Sequence, residues 1–262
     1  MTLKAEALAW LEAGRSAVVV SVDRTRGSVP REAGTRMLVG ADAVRGTIGG
    51  GHLEWQAIDL ARARIGHADE LCQDVALGPT LGQCCGGRLT LRYAPLAAEA
   101  LAAWPDEAPL FELQLYGAGH VGRALVDVLA GVPCRVWWID EREGEFPPQA
   151  PPPQVTPLCV EPVEAEVAQA APGTFYLVMT HSHDLDLRIT EAILKRGDFG
   201  YLGLIGSKTK RERFLRRFEQ RGIAAATLAR LTCPIGVPGI GGKAPGVIAL
   251  AVAAQLLQAA GA

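Results

Sequence analysis

Four short stretches of this chain hold residues whose types and spacing can do chemistry. The first is Gly117-Ala118-Gly119-His120-Val121-Gly122. It is a GxGxxG directly after a predicted strand, Phe111 to Tyr116, and it opens a predicted helix, Val121 to Ala130. In that setting Gly117 permits the tight turn, Gly119 lets a phosphate approach the backbone, and Gly122 allows close helix-to-strand packing. The first amides of the helix favour the anion. Asp140 ends the next predicted strand, about 20 residues on, where a carboxylate that binds a ribose belongs. The same glycines can also serve packing alone, and nothing nearby supplies a hydride-transfer partner.

The second stretch is Thr180-His181-Ser182-His183-Asp184 at the carboxyl end of a predicted strand, the end that faces the ligand crevice in an open parallel sheet. His181 and His183 could move protons or meet a metal, or could cap the following helix and contact water. No spaced third ligand argues for zinc. The third is Ile205-Gly206-Ser207-Lys208, with Ser207 as a helix cap and Lys208 and Lys210 beside exposed amides, a seat for phosphate. The arginines that follow read as a solvated face or a contact for an acidic partner. The fourth is Gly82-Gln83-Cys84-Cys85-Gly86-Gly87. Adjacent cysteines rarely close a relaxed disulfide, so Cys84 and Cys85 read as approachable thiols suited to soft-metal or sulfur handling. Cys72, Cys134, Cys159 and Cys233 read as core. His52-Leu53-Glu54 has the H-x-E of zinc deaminases but lacks their P-C-x-x-C, and that class is rejected.

The elements that must position these residues divide the chain in two. Its 262 residues suffice for one large or two small domains, and 49% hydrophobic with 21% charged residues excludes disorder. A formal charge of -2 gives no global field for nucleic acid or an anionic membrane. Six cysteines and an acidic Glu6 near the start point to reduced thiols and no secretory signal, hence to the cytoplasm. The uncharged Ala244 to Ala262 reads as a buried helix rather than a membrane span.

Helical spacing covers Thr2 to Ala13, and strands are predicted at Ala17–Val22, Met37–Val39, Val44–Ile48, Leu71–Leu77 and Leu89–Tyr93, with a helix from His52 to Ile65. Thr25 to Pro30 and Phe146 to Pro157 read as loops. The fold class is α/β: an N-terminal α+β domain over 1–94, a linker over 95–110, and a C-terminal Rossmann-like domain with a mostly parallel sheet over 111–262.

Together these stretches resemble the xanthine dehydrogenase accessory factor family, XdhC/CoxI, along nearly the whole chain. The resemblance rests on Gly27-Ser28-Val29-Pro30-Arg31, Gly34 to Val39, Gly49-Gly50-Gly51-His52-Leu53-Glu54 and the Gly82 to Gly87 loop in the first domain. In the second it rests on Gly117 to Gly122, Thr180 to Asp184, Ile205 to Lys208 and Cys233-Pro234-Ile235-Gly236. It implies a cytoplasmic, homodimeric chaperone of purine catabolism that binds molybdenum cofactor and protects it. Such a chaperone lets a cysteine desulfurase sulfurate the cofactor and hands it to apo xanthine dehydrogenase, without turning over a substrate alone. Where the family pattern starts its last helix with Thr-Pro-x-Glu, this chain has Ala244-Pro245-Gly246-Val247.

On that resemblance the cofactor, a pterin with a terminal phosphate, is expected to meet Gln83, Cys84, Cys85 and Arg31 in the first domain. In the second it is expected to meet Gly117, Gly119, Gly122, Asp140, His181, His183, Ser207 and Lys208. Cys84 and Cys85 would face molybdenum or its labile sulfur. Two other readings stay open. One is an NAD(P)-dependent oxidoreductase with Asp140 on the ribose and His181 or His183 as acid/base. The other is a nucleotide-sensing partner protein that docks through its arginine-rich helix.

Overall fold

The computed structural model describes residues 2–77, 86–105 and 108–262. The chain forms two compact units, 1–107 and 108–262.

The first unit runs α1 (Leu3–Glu12), β1 (Ala17–Arg26), β2 (Arg36–Gly40), β3 (Val44–Gly46), α2 (Gly51–Ala63), β4 (Leu71–Ala76), β5 (Arg88–Pro95) and α3 (Ala98–Ala102). Its strands make an antiparallel sheet in the order β3-β2-β1-β5-β4. β1 is the centre. Val18, Val20 and Val22 pack with Leu53, Ala57 and Ala61 of α2, while Ala17 and Val19 pack with Ala7 and Trp10 of α1 and Leu101 of α3. Burial on both faces is why the strand reads as one continuous β-branched run. β1 continues past Val22 to Arg26, through residues expected as a loop. The expected linker carries α3, whose Leu101 is part of this unit's core.

The second unit runs β6 (Glu112–Tyr116), α4 (His120–Leu129), β7 (Arg135–Asp140), β8 (Val155–Cys159), β9 (Phe175–Val178), α5 (His183–Arg196), β10 (Tyr201–Leu204), α6 (Lys208–Gln220), α7 (Ala225–Leu228), β11 (Leu231–Thr232) and α8 (Pro245–Ala260). All its paired strands are parallel, in the order β11-β10-β9-β6-β7-β8. Read from β8, that is the 3-2-1-4-5-6 order of the dinucleotide-binding fold. α4 and α8 bury one face, and α5, α6, α7 with a 3-10 segment at Val163–Gln169 bury the other.

β8 lies inside the stretch expected as a proline loop. Pro157 pairs in register opposite Trp138, and it is tolerated because β8 is an edge strand with one side free of ladder bonds. Cys134 and Cys233 are buried, but Cys72 and Cys159 are exposed, since both sit on edge strands, β4 and β8. α8 packs along α4 through Ala249, Val252, Ala253 and Leu256. Its half-buried amide is satisfied: Gln255 Oε1 accepts from Tyr201 Oη (2.7 Å) and Gly236 N (2.8 Å). Among the described residues no helix is long and apolar enough to cross a membrane.

Leu256 is fully enclosed between α4 and the sheet. Leu256→Ala is expected to cost about 2–5 kcal/mol in urea unfolding, whereas truncating exposed Leu250 of the same helix should cost well under about 1 kcal/mol.

Candidate functional site

The strand order of the second unit reverses between β6 and β9, and the crevice outside their carboxyl ends is where such sheets bind ligands. β6 leaves the sheet into Gly117, β9 into Met179 and Thr180. Gly117 has φ +120, and a Cβ on it would lie 2.3 Å from Met179 O. A Cβ on Gly122 would lie 2.1 Å from Gly117 O. Both positions therefore require glycine for contact with neighbouring main chain. Gly119 is different: a Cβ there would meet nothing within 4 Å, so the space over it is open.

Gly119 is also the N-cap of α4, and no side chain caps it. The first helical hydrogen bond runs from Arg123 N to Gly119 O (3.0 Å), which leaves the amides of His120, Val121 and Gly122 ahead of it. The other two helices that start at this edge are closed by hydroxyls. Ser182 Oγ accepts from Leu185 N and Ser207 Oγ from Lys210 N. The open start of α4 is a cradle that fits an anionic group.

Asp140, 4% exposed, is fully engaged. Its Oδ2 accepts from Ala118 N (2.7 Å) and Arg142 Nη2 (3.0 Å), and its Oδ1 from Arg142 N and Nε (both 3.0 Å). Burial pushes its pKa up, but the hydrogen bonds from the Arg142 guanidinium and the two main-chain amides outweigh that and hold it below the usual carboxylate value. Arg123 continues the network, donating from Nε to Ala118 O (3.0 Å) and from Nη2 to Glu145 Oε2 (2.7 Å).

On the β9 side, His181 is exposed, with Nε2 3.6 Å from Glu141 Oε1. His183 is exposed on the first turn of α5, and its Nδ1 accepts from Arg213 Nη2 (2.7 Å). One turn into α5 the buried Asp186, 1% exposed, accepts through Oδ1 from Thr180 N (2.9 Å) and Oγ1 (2.7 Å). Its Oδ2 accepts from Lys210 Nζ (2.5 Å), which also donates to Ile205 O (2.8 Å). Lys210 is thus a core cation that ties the β9 and β10 exits together rather than part of a phosphate seat. Ser207 and Lys208 remain exposed at the start of α6.

The pair was missed in the sequence, although its signal was present. Asp186 falls on the stripe Ile189, Thr190 and Ile193, and Lys210 on the stripe Phe214 and Phe218, all buried. A charge of each sign on two neighbouring apolar stripes asks for a partner.

In the first unit, Gly49 and Gly87 both lie against the segment 26–31. A Cβ on Gly87 would lie 2.3 Å from Ser28 O, and one on Gly49 2.7 Å from the Pro30 ring. Arg31 is exposed beside Gly49. Glu54 holds the glycine turn: its Oε2 accepts from Thr47 Oγ1 (2.5 Å), Ile48 N (2.9 Å) and Gly50 N (3.1 Å). Burial raises its pKa, and these bonds, Thr47 first, bring it below the usual value. Gln83, Cys84 and Cys85 lie outside the described residues. Among the described residues no group of three His, Cys, Asp or Glu converges as a metal site.

Comparison with known proteins places this geometry. Residues 113–256 match the family model described as the XdhC Rossmann domain, and residues 10–72 match that of the XdhC and CoxI family. The uncharacterized protein YqeB of Escherichia coli (strain K12) is 32% identical over 247 residues, covering 89% of this chain and 42% of its own. The chain thus spans about two fifths of that relative's length. A crystal structure titled as a xanthine dehydrogenase from Bacillus halodurans superposes with a TM-score of 0.76 at 19% identity. It covers 99% of this chain and 96% of its own, and it shares the fold.

Two outcomes check the polar frame of the site. Lys210→Met strands the Asp186 carboxylate and should cost about 3–5 kcal/mol, and adding Asp186→Leu should restore most of that loss. Asp140 has a depressed folded pKa, so its contribution is present above the unfolded carboxylate value of about 3.9 and is lost as pH falls through the folded one. The stability gap between wild type and Asp140→Asn in urea unfolding should therefore be wide at pH 7 and smaller at about pH 2.5, shrinking progressively as pH falls below about 4. An equal gap at both pH values contradicts this role.

Proposed function

This chain belongs to the XdhC and CoxI family, and from that premise we propose that it is an accessory protein for xanthine dehydrogenase that binds molybdenum cofactor. In this reading it acts in the cytoplasm as a homodimer in purine catabolism. It protects the cofactor, supports its sulfuration by a cysteine desulfurase, and inserts it into apo xanthine dehydrogenase. It is a carrier rather than a turnover enzyme.

The observation that carries the reading is the uncapped start of α4. The amides of His120, Val121 and Gly122 point to an anion, and Gly119 keeps the approach clear. These groups would hold the terminal phosphate of the pterin, with Ser207, Lys208, His181 and His183 around the same strand ends. The molybdenum centre, when bound, supplies the redox chemistry that the client enzyme uses. From the first unit, Cys84 and Cys85 would protect the metal and its labile sulfur as soft ligands, Gln83 would hydrogen-bond the pterin, and Arg31 would offer a bidentate contact to an anionic group.

The strand order and the glycine turn also favour a second reading, an NAD(P)-dependent oxidoreductase. Against it, both oxygens of Asp140 are taken by Ala118 and Arg142, so the carboxylate has no free lone pair aimed at a ribose diol.

The test is purification from a host able to make molybdopterin, with bound pterin, molybdenum and nicotinamide nucleotide measured per chain. Pterin and molybdenum are expected at near one per chain. Gly119→Val should reduce pterin retention by about tenfold, the loss of a contact worth about 1.4 kcal/mol. The Cys84→Ala, Cys85→Ala pair should lower molybdenum and sulfur transfer to the client. Unchanged retention and delivery in both variants, or stoichiometric nicotinamide nucleotide without pterin, overturns the proposal.

A further inference from the structure

A register shift in β1 gathers cations on the side of the first unit's sheet away from α2. β1 and β5 run in register from Val18↔Pro95 to Val22↔Leu91, and then the partner of Thr90 is Arg24 rather than Asp23. Asp23 is therefore the extra residue of a β-bulge. Without it, alternation would place Arg24 opposite Leu89, on the face that packs against α2. With it, Arg24 lies opposite Thr90 and Arg26 opposite Arg88, on the open face. A bulge that re-aims side chains is a recurrent device next to functional sites.

Two cross-strand rows result. Arg24, Thr90 and Asp74 form one, and Arg26, Arg88 and Ala76 form the other. They line a groove of about 470 Å³, a volume in the range of small-molecule sites. Three guanidinium groups stand here against two carboxylates, Asp74 and Asp23. Asp74 is already engaged, accepting from Thr90 Oγ1 (2.6 Å), and Arg24 leans on Asp23, with Nε 3.6 Å from Oδ2. The Arg26 and Arg88 side chains pair with no described residue. Like charges directly opposite each other in a sheet are destabilising, so the strands hold these two cations together against their repulsion. The methyl of Ala76 leaves room beside Arg88. Four residues along β5 from Arg88, by contrast, Arg92 is neutralised by Glu70 (Nη2 to Oε1, 2.6 Å; Nε to Oε2, 2.9 Å).

We propose that this groove is an oxyanion site that binds a phosphate group between Arg26 and Arg88, with Arg24 as the third donor. Two adjacent planar forks match a tetrahedral oxyanion better than they match a single carboxylate. The site belongs to the first unit alone. It neither uses nor requires the amides of α4, so it stands whether or not the proposed cofactor reading holds.

The test is calorimetric titration of the full chain at low salt with inorganic phosphate and, in a separate arm, phenyl phosphate. Chloride at matched ionic strength is the control. The wild type is expected to give saturable binding that Arg26→Gln with Arg88→Gln weakens at least about tenfold and that Arg92→Gln leaves in place. Tighter binding of phenyl phosphate than of inorganic phosphate identifies an ester as the ligand, and the reverse order identifies the free ion. Folding is monitored by thermal melts. The double variant should melt no lower than wild type without phosphate, since a repulsion has been removed, and added phosphate should stabilise the wild type more than it stabilises the double variant. The same difference should persist when Gly119→Val is added to both chains, which takes the proposed α4 cradle out of the comparison. Identical titrations for wild type and the double variant, equal weakening by Arg92→Gln, or full competition by chloride overturns the site.

Discussion

Main-chain amides at strand ends need acceptors, and how this chain supplies them governs the rest of its structure. At the carboxyl edge of the parallel sheet, Asp140 reaches Ala118 N, and Asp186 reaches Thr180 N. In the first unit, Glu54 does the same for Ile48 N and Gly50 N. Each carboxylate fixes a turn that the side chains of the turn itself cannot hold. A buried carboxylate needs compensation in its own right: Asp140 obtains it from Arg142, and Asp186 from Lys210. The first amides of α4 are left over from this scheme, in the place where the strand order reverses. Among the described residues no side chain caps them.

The second unit was largely legible in the sequence because its parallel strands are buried on both faces and so appear as short apolar runs separated by helical spacing. Its glycine turn was legible because at two of its three glycines, Gly117 and Gly122, an added Cβ would lie under 2.5 Å from main chain. The proline-rich stretch hid β8, since an edge strand can carry Pro157 where a central one cannot. The linker hid α3, whose helix is only five residues long and depends on Leu101 finding a core. Cys72 and Cys159 were misread for the same reason as β8, because edge position cannot be seen in a single strand's pattern.

The site was less legible than the fold. Residue types announced the glycines, the histidines and Asp140, but not that Asp140 would be consumed by an arginine two positions on, nor that Lys210 would turn inward. Those outcomes depend on which helices become neighbours. The arginine groove was invisible for a related reason: a one-residue bulge at Asp23 changes which face every later side chain of β1 occupies, and no local pattern reports it. The committed Asp140 leaves no acceptor for a ribose diol, while the open helix start keeps room for an anion.

The most direct measurement is amide NMR of the isotopically labelled chain as a phosphorylated pterin is added. The account predicts saturable shifts for the amides of His120, Val121 and Gly122, with the amides of Ala118 and Thr180, already held by Asp140 and Asp186, nearly still. If the α4 amides do not move while the ligand binds elsewhere, the central claim is wrong.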